Sequence, residues 1–449
     1  MSLWNRASLT VKTTAPSRRV DPAVTRPDTS HRLDAWLARL EAAHPMGIDL
    51  GLDRVSEVGR RMCLLDATLA RRVITVAGTN GKGSTVAMLE ALARAHGLST
   101  ASYTSPHLLR YNERLRLDGV EASDDMLIAG FEVVEAARLD GSPVSLSYFE
   151  VGTLAALWTI KGLQPDMAIL EVGLGGRLDA VNIIDADVAV ITTIARDHAA
   201  YLGDDLDGIG REKAGIFRMG RPAVLGSRDL PDSVRTTAVE RGTTIVAIGE
   251  AFDWQEAGPS GWRWQGGESV AGSDSLDDLP DPGLPLDNAA TALKALTLAD
   301  VALDTAACRR ALADVRLPGR MQWLGQWCLD VGHNPHAAAY LAGRLQAMPC
   351  KGRTWILLGM LGDKDADGVI GALAAVADAW VTVTLVGERA RTASELAEHV
   401  HASGAAVAFQ ATSPEAGAEW LSSRLAPEDR VLVCGSFFTV GAILAWMQA

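Results

Sequence analysis

The chain has few cysteines and no long apolar run. Five cysteines are scattered over 449 residues without a CxxC pair, namely Cys63, Cys308, Cys328, Cys350 and Cys434. This odd set suits neither a disulfide framework nor a thiolate zinc site, so we expect a reducing, cytoplasmic compartment. No stretch approaches the roughly 18 apolar residues of a membrane span. Residues 1–30 also lack the apolar core of a secretory signal, so no membrane partner is expected.

Basic residues are also fewer than acidic residues. The chain carries 42 lysines and arginines against 55 aspartates and glutamates, a formal net charge of -13. A nucleic acid is therefore not expected as a partner, because phosphate-backbone binding needs a basic face. The stretch LLRYNERLRLDG is an exception, since it concentrates Arg110, Arg114 and Arg116. Local positive charge of this kind is compatible with a small anionic substrate.

The length and the apolar content predict two domains. A single hydrophobic core seldom serves more than about 300 residues, and 48% of this chain is hydrophobic. Residues 1–29 lack apolar periodicity and are predicted to be a disordered tail. Pro318 and Gly319 interrupt the pattern in LPGR, which predicts a linker at residues 317–320 between a domain at 30–316 and a domain at 321–449.

Short β-branched runs alternate with helical patterns in both predicted domains. The first domain contains VITVA, STASYTS, MAILEV, VAVITT and PAVLG, and the second contains WILLG, VTVTLVG, AVAFQ and VLVCGSF. Nearly continuous apolar strands separated by helices indicate a parallel sheet covered on both faces. We therefore predict an α/β protein with a doubly wound, mostly parallel sheet followed by a smaller α/β domain. Residues 250–287 are rich in Gly, Pro and Asp and predict a small hairpin.

The strongest local signal is the segment VITVAGTNGKGS. A buried strand runs into a glycine-rich turn and a helix, an arrangement whose backbone N–H groups bind phosphates while Lys82 reaches the terminal phosphates. ATP or GTP is therefore the expected ligand. The spacing departs from the common P-loop pattern, since Gly83 separates Lys82 from Ser84 and Val76 replaces the first glycine. An ordinary glycine turn is the alternative interpretation.

Polar residues follow several other predicted strands. Glu171 ends ILEVGLGG and His198 follows VAVITTIARD, where ligands collect at the carboxyl ends of parallel strands. Both are candidate magnesium ligands, although each could simply be a polar residue in a loop. Asp330 and His333 follow the first strand of the second domain, where they could line a cleft or merely cap a loop. Arg320 in the linker is compatible with phosphate binding or with ordinary solvation.

These motifs together resemble one family. In chain order they read IDLGLDRV, GTNGKGS, TSPHLLRYNERLR, SYFEVGTLAALW, ILEVGLGGRLDAVNIIDADVAVITTIARDH, IGREKAGIF, NAATAL, LPGR, DVGHNPHA, GMLGDKD and VCGSF. They resemble the bifunctional bacterial dihydrofolate synthase and folylpolyglutamate synthase, within the wider group of Mur-type ligases. The resemblance covers nearly the whole chain. It implies a Mur-ligase-type P-loop domain with a pterin site and a Rossmann-like C-terminal domain.

The resemblance implies a nucleotide site and a metal site. ATP would contact Thr79, Asn80, Gly81, Lys82, Gly83, Ser84, Asn288, Arg320, Asp330 and His333. Magnesium would be held by Ser105, Glu171 and His198, which assigns the metal hydroxyl to TSPH rather than to Ser84. Lys213 would be carried as a carbamate, a modification that turns an ammonium into a carboxylate. Lys82, Lys213 and His198 are the residues to which the resemblance gives catalytic roles.

It also implies a pterin site built from three segments. These are Ile48, Asp49 and Leu50; Ser147, Tyr148, Phe149 and Glu150; and Leu178, Asp179 and Ala180. The residue chemistry agrees in part, because Phe149 offers an aromatic face to a planar ring. Asp179 can accept two hydrogen bonds from the edge of an aminopyrimidinone.

The implied activity is ATP-dependent ligation of L-glutamate, through an acyl phosphate, to dihydropteroate and to the γ-carboxylate of reduced folates. A monomer is expected. A monofunctional folylpolyglutamate synthase is the alternative within the family. A P-loop kinase, a nucleotide-dependent switch and a wall-precursor ligase of the same fold are further alternatives, distinguished by whether ATP turnover requires glutamate and a pterin.

Overall fold

The computed structural model describes residues 29–43, 49–258, 261–269, 272–387 and 389–449. The described residues form two α/β units, each built on a mostly parallel sheet, and a small antiparallel sheet inserted in the first unit. The predicted tail lies outside the described residues except for Thr29, which begins the first helix. The predicted fold class is confirmed.

The first sheet has eight strands in the order β4-β3-β2-β5-β1-β6-β7-β8. The strands are β1 (Arg72–Ala77), β2 (Thr100–Tyr103), β3 (Leu115–Leu117), β4 (Val120–Glu121), β5 (Met167–Glu171), β6 (Val188–Ile191), β7 (Pro222–Leu225) and β8 (Thr244–Ala247). All neighbours are parallel except the pairs β2–β3 and β3–β4. Strands β1, β5 and β6 are apolar and buried along nearly their whole length, as strands covered on both faces must be.

Helices cover both faces of this sheet. They are α1 (Thr29–Ala43), α2 (Asp53–Arg61), α3 (Lys82–Ala95), α4 (Asp124–Leu139), α5 (Tyr148–Leu163), α6 (Ala199–Leu202), α7 (Leu206–Lys213), α8 (Asp232–Arg241), α9 (Leu286–Leu298) and α10 (Thr305–Asp314). Helices α4 and α5 pack on the side of β2 and β5. Helices α3 and α9 pack on the opposite side, against β1 and β6. Each face therefore has its own hydrophobic core.

The inserted sheet has three strands rather than the two of the predicted hairpin. They are β9 (Asp253–Glu256), β10 (Gly261–Ser269) and β11 (Gly272–Pro280), in the order β11-β10-β9. Trp262 and Trp264 of β10 are almost fully buried against the core beneath α9. These two indoles, with Leu276 and Leu279 of β11, anchor the sheet to this core.

The second large sheet has six strands in the order β12-β13-β17-β14-β15-β16, and only the edge strand β12 is antiparallel to its neighbour. The strands are β12 (Gln322–Leu324), β13 (Trp327–Leu329), β14 (Thr354–Leu358), β15 (Ala379–Val383), β16 (Val407–Ala411) and β17 (Arg430–Cys434). The helices are α11 (Pro335–Ala347), α12 (Ala366–Leu373), α13 (Ala393–Ala402), α14 (Pro414–Ser422) and α15 (Phe437–Gln448). Asp330 thus follows the second strand of this sheet, not the first, because the sequence did not predict the short β12.

The carboxyl ends of the two sheets face each other across a cavity of about 650 Å³. Residues after β1, β5 and β6 line it from the first unit, and residues after β13 line it from the second. In the part of the chain that the structure describes, no helix has the length and apolarity to cross a membrane. The predicted domain boundaries at residues 316/317 and 320/321 remain predictions. The first strand of the second unit, β12, begins at Gln322, close to the predicted linker.

Candidate active site

The P-loop turns between β1 and α3 because glycine allows the backbone to take a left-handed conformation. Gly81 has a φ of 87°, and a Cβ there would lie 2.7 Å from Nδ2 of Asn288. Asn288, buried on α9, in turn donates to Oγ of Ser84 at 2.8 Å. The hydroxyl of Ser84 donates to the carbonyl of Gly81 at 3.0 Å, so it closes the turn. Asn288 therefore supports the loop from beneath.

Lys82 lies at the first turn of α3 and points back into this loop. Its Nζ donates to the carbonyl oxygens of Gly78 at 3.0 Å and Thr79 at 3.3 Å. Burial lowers the pKa of Lys82, and the charge of Glu171 opposes this effect. An ammonium whose hydrogen bonds to described residues all go to neutral carbonyls is positioned to receive an anionic phosphate.

Thr79 and Asn80 fix the loop to the strand end after β6. The hydroxyl of Thr79 donates to the carbonyl of Ala195 at 3.1 Å. The backbone N–H of Asn80 donates to Oγ1 of Thr193 at 3.0 Å. On its other side, the amide of Asn80 exchanges two hydrogen bonds with the amide of Asn334, at 3.1 and 2.9 Å. The second unit therefore contacts the P-loop directly.

The predicted metal ligands lie at neighbouring strand ends. Glu171 is buried at the end of β5 and accepts a hydrogen bond from the backbone N–H of Ser105 at 3.1 Å. Burial raises the pKa of Glu171, and Lys82 opposes this. His198 has a φ of 53°, and its Nδ1 is buried without a partner. Burial lowers the pKa of His198 to about 4, so its imidazole is neutral and able to bind a metal at pH 7.

Asp197, which the sequence did not indicate as a site residue, links the two units through three side chains of the second. Its carboxylate pairs with Lys364, accepts from Nδ2 of Asn334 at 3.3 Å and lies 3.2 Å from Nε2 of His333. Burial would raise the pKa of Asp197, but His333, His198 and Lys364 together hold it well below the usual range. Lys364 belongs to GMLGDKD and Asp197 to ITTIARDH, so both motifs were noted but their pairing was not predicted.

The remaining predicted nucleotide residues lie on the second unit's side of the cavity. Asp330 accepts from the backbone N–H groups of Met321 at 2.9 Å and Gly332 at 2.7 Å. Burial raises the pKa of Asp330, and Arg320 opposes this. Burial likewise lowers the pKa of Arg320, whose guanidinium lies 5.2 Å from the ring centroid of Phe437. Arg320, Asp330 and His333 all line the same cavity as the P-loop.

Lys213, the last residue of α7, is buried in the wall of this cavity. Burial lowers its pKa to about 7, and the positive charge of Lys82 adds to the effect. Its side chain makes no ion pair among the described residues. An amine of this kind is largely unprotonated just above neutral pH, which makes it nucleophilic.

Several of the predicted pterin residues hold one another in place. Ser147 and Glu150 form a capping box at the start of α5, in which the backbone N–H of Ser147 donates to Glu150 at 2.7 Å. The guanidinium of Arg54 forms one ion pair with Glu150 at 3.1 Å and another with Asp49 at 2.8 Å. The segment of Asp49 and Leu50 is thus tied to α5. Ile48 lies outside the described residues.

The segment of Leu178, Asp179 and Ala180 lies against the same helix. Asp179 is almost fully buried and accepts from the backbone N–H groups of Leu174 at 2.8 Å and Val181 at 3.0 Å. Burial raises its pKa to about 6. A Cβ on Gly173 would lie 2.6 Å from the ring of Phe149 and 3.2 Å from Asp179. Because Gly173 lines the cavity, these two side chains lie directly behind its wall.

The structure therefore brings together one large set of the predicted residues. One cavity is lined by all the predicted nucleotide-binding, metal-binding and catalytic residues. These are the P-loop residues, Ser105, Glu171, His198, Lys213, Asn288, Arg320, Asp330 and His333. The pterin residues lie beside that cavity rather than in its lining. Leu178 and Tyr148 are partly exposed, whereas Ala180 is buried.

Comparison with known proteins agrees with this arrangement. Residues 76–251 match the Mur ligase middle domain and residues 319–437 match the Mur ligase, glutamate ligase domain. The fold and the P-loop cavity thus define an ATP-dependent ligase of the Mur type.

The similarity to one group of relatives extends over almost the whole chain. The dihydrofolate synthase/folylpolyglutamate synthase of Escherichia coli (strain K12) is 43% identical over 94% of this chain and 97% of its own. The structure of E. coli FolC in complex with DHPP and ADP matches with a TM-score of 0.87, covering 94% of this chain and 99% of that one. A bifunctional folylpolyglutamate synthase/dihydrofolate synthase with Mn, AMPPNP and L-glutamate bound has 44% identity and a TM-score of 0.85, covering 94% and 100%. The chain belongs to the dihydrofolate synthase/folylpolyglutamate synthase family.

Proposed function

We propose that the chain uses ATP to join L-glutamate to dihydropteroate and to the γ-carboxylate of reduced folates. A substrate carboxylate attacks the γ-phosphorus of ATP, ADP leaves, and the amine of glutamate then displaces phosphate from the acyl phosphate. The observation that carries this proposal is the shared cavity, into which the P-loop, two acidic strand ends and the second unit all project. The relatives named above bear both activities in their names.

Lys82 and Arg320 would supply the positive charge that phosphoryl transfer requires. Both cations line the cavity, one from each unit. Such a transfer asks little covalent chemistry of the protein, so positioning and electrostatic stabilisation account for most of the rate. Closure of the two units around the substrates would exclude water from the acyl phosphate, which would otherwise hydrolyse.

Ser105, Glu171 and His198 are the residues that would hold Mg²⁺. The described residues include no group of three His, Cys, Asp or Glu side chains with metal-site geometry, so the hydroxyl of Ser105 would complete the set. The buried, unpartnered Nδ1 of His198 and the buried carboxylate of Glu171 suit a divalent cation. When bound, the cation neutralises charge on the phosphates. A relative with Mn and AMPPNP bound is consistent with this proposal.

Lys213 is proposed to carry a carbamate. Its unprotonated amine would add to CO₂ with loss of one proton, which replaces a buried cation by an anion. The low pKa of Lys213, caused first by burial, supports this addition. A negative charge there would offset the positive charge of Lys82 in the same cavity.

The pterin is proposed to lie against α5 and the loop after β5. The ring of Phe149 and the carboxylate of Asp179 support this, since Asp179 keeps lone-pair capacity beyond its backbone hydrogen bonds. Asp49 and Leu50 would close the same site through the contacts of Arg54. We further propose that the protein works as a cytoplasmic monomer, because its own two units already form the cavity.

The proposed function is tested by phosphate release from Mg-ATP with L-glutamate present. Dihydropteroate, tetrahydrofolate and no pterin are compared, and the products are identified by mass. Phosphate and a glutamylated product are expected with both pterins. A Lys82→Ala variant should lose about a hundredfold to a thousandfold in turnover because its phosphate-binding cation is gone.

The other outcomes separate the alternatives. Release with tetrahydrofolate alone would identify a monofunctional folylpolyglutamate synthase. Release that needs a pterin but no glutamate would identify a kinase, and release independent of any pterin would exclude the folate assignment.

A further inference from the structure

Only one of the three arginines in LLRYNERLRLDG lacks a carboxylate partner among the described residues. Arg110 is exposed and pairs with Glu121. Arg116 lies 3.2 Å from Glu90 and donates to the carbonyl of Gly119 at 2.7 Å. Arg114 is 8% exposed and forms no ion pair within the described part of the chain. The local positive charge that the sequence indicated is therefore neutralised at two positions and available at the third.

The surroundings of Arg114 hold its guanidinium without neutralising it. Its Nε donates to Nδ1 of His107 at 2.9 Å. This histidine brings no negative charge, so the contact leaves the guanidinium without a counter-ion. The rings of Tyr111 and Tyr148 lie 5.1 and 5.5 Å from the guanidinium carbon. Nη1 and Nη2 make no hydrogen bond to any described residue and remain available to an acceptor.

Arg114 contacts a proposed pterin residue through its side chain and the segment next to Ser105 through its backbone. On one side it contacts Tyr148 of α5. On the other side its carbonyl accepts from the backbone N–H of Thr104 at 2.8 Å, and the next residue, Ser105, donates to Glu171. A substrate with a pterin at one end and a reacting carboxylate at the other must span this interval.

We propose that Arg114 receives the carboxylate of the pterin substrate that is to be phosphorylated, and so selects pterins that carry one. This inference rests on the proposed function and adds a substrate-binding residue to it. Two parallel N–H groups of a guanidinium match the two oxygens of a carboxylate. A buried arginine without an anion is costly, and the substrate would supply the missing anion. His107 and the two tyrosines fix the guanidinium in advance.

The test compares binding of two ligands by tryptophan-fluorescence quenching, without ATP. One is dihydropteroate and the other is its analogue with hydrogen in place of the carboxyl group. The wild-type protein should bind dihydropteroate about tenfold to hundredfold more tightly, as expected for a charge-assisted pair. Arg114→Gln should reduce this ratio to near one by weakening dihydropteroate alone, and Arg114→Lys should restore part of it.

Arg116→Gln is the matched control, since this arginine belongs to the same stretch but is paired with Glu90. It should leave the ratio unchanged. Equal weakening of both ligands in Arg114→Gln, with a lowered melting temperature, would show a merely structural role and overturn the inference. A loss of ATP affinity with an unchanged ratio would assign Arg114 to the phosphates and overturn it as well. Failure of the wild-type protein to bind either ligand would instead refute the proposed function.

Discussion

Two lysines in the cavity lie in different surroundings although burial lowers both pKa values. Lys82 has carbonyl partners in the P-loop, whereas Lys213 has no ion pair in the described part of the chain. The amine of Lys213 is therefore the one free to react. At a pKa of about 7 it is mainly protonated at pH 6 and mainly neutral at pH 8.

This difference predicts a carbamate that forms as pH rises. At fixed CO₂ pressure, ¹³C nuclear magnetic resonance with labelled CO₂ should show a carbamate signal that increases between pH 6 and pH 8. An ordinary lysine with a pKa near 10.4 stays protonated over this range. Lys213→Arg, which keeps a charge but cannot form this carbamate, should show no signal. A signal of equal size in Lys213→Arg would place the carbamate elsewhere.

Helix α5 is the element on which the pterin segments depend. The hydroxyl of Ser147 accepts from the backbone N–H of Glu150, and Glu150 in turn contacts Arg54. The start of this helix therefore sets the position of Phe149 and of the segment that contains Asp49. We therefore expect this capping residue to affect both stability and the proposed pterin site.

Ser147→Ala should accordingly affect two measurements. Loss of a serine N-cap costs about 1 kcal/mol of unfolding free energy, measurable by urea denaturation. The KM for dihydropteroate should rise while the KM for ATP stays unchanged. Ser123→Ala removes the N-cap of α4 and is the control, since it should lower stability without changing either KM. A change of stability alone in Ser147→Ala would separate this cap from the pterin site.

Helices and strands could be predicted from the sequence where the residues that determine them lie close together in the chain. The P-loop was located because strand, glycine turn and helix follow one another within a dozen residues. Strand β9 was not predicted. Its residues, Asp253–Glu256, are mostly polar and form a strand by pairing with β10. The capping role of Ser147 likewise requires knowledge of where α5 begins.

At the scale of the whole molecule, the contact between the units depends on a few polar side chains. Asp197 and Lys364 are 167 positions apart in sequence, so no local pattern could have paired them. The sequence did place His198 and His333 at strand ends, because the sheet pattern is regular there. The ion pair between Asp197 and Lys364 depends on how the two sheets face each other. The pattern of strands and helices in the sequence does not give that arrangement.

Lys364→Met should loosen this contact. Removal of one partner from a buried ion pair costs about 3 kcal/mol, since Asp197 is left charged and only partly satisfied. Small-angle X-ray scattering should show a larger radius of gyration than in the wild type, and a non-hydrolysable ATP analogue should reduce it. Lys351→Met, which removes an exposed pair with Glu428, is the control and should not change the scattering. Identical curves for Lys364→Met and the wild type would show that other contacts suffice.

The paired amides of Asn80 and Asn334 have a consequence for the time course of the reaction. Asn334 also caps α11 by accepting from the backbone N–H of Ala337, so the amide pair connects the P-loop to a whole rigid helix. We expect nucleotide to bind and leave the loop when this amide pair separates and the helix moves away. The frequency of that separation is therefore an upper limit on the number of turnovers per second, however fast the phosphoryl transfer becomes.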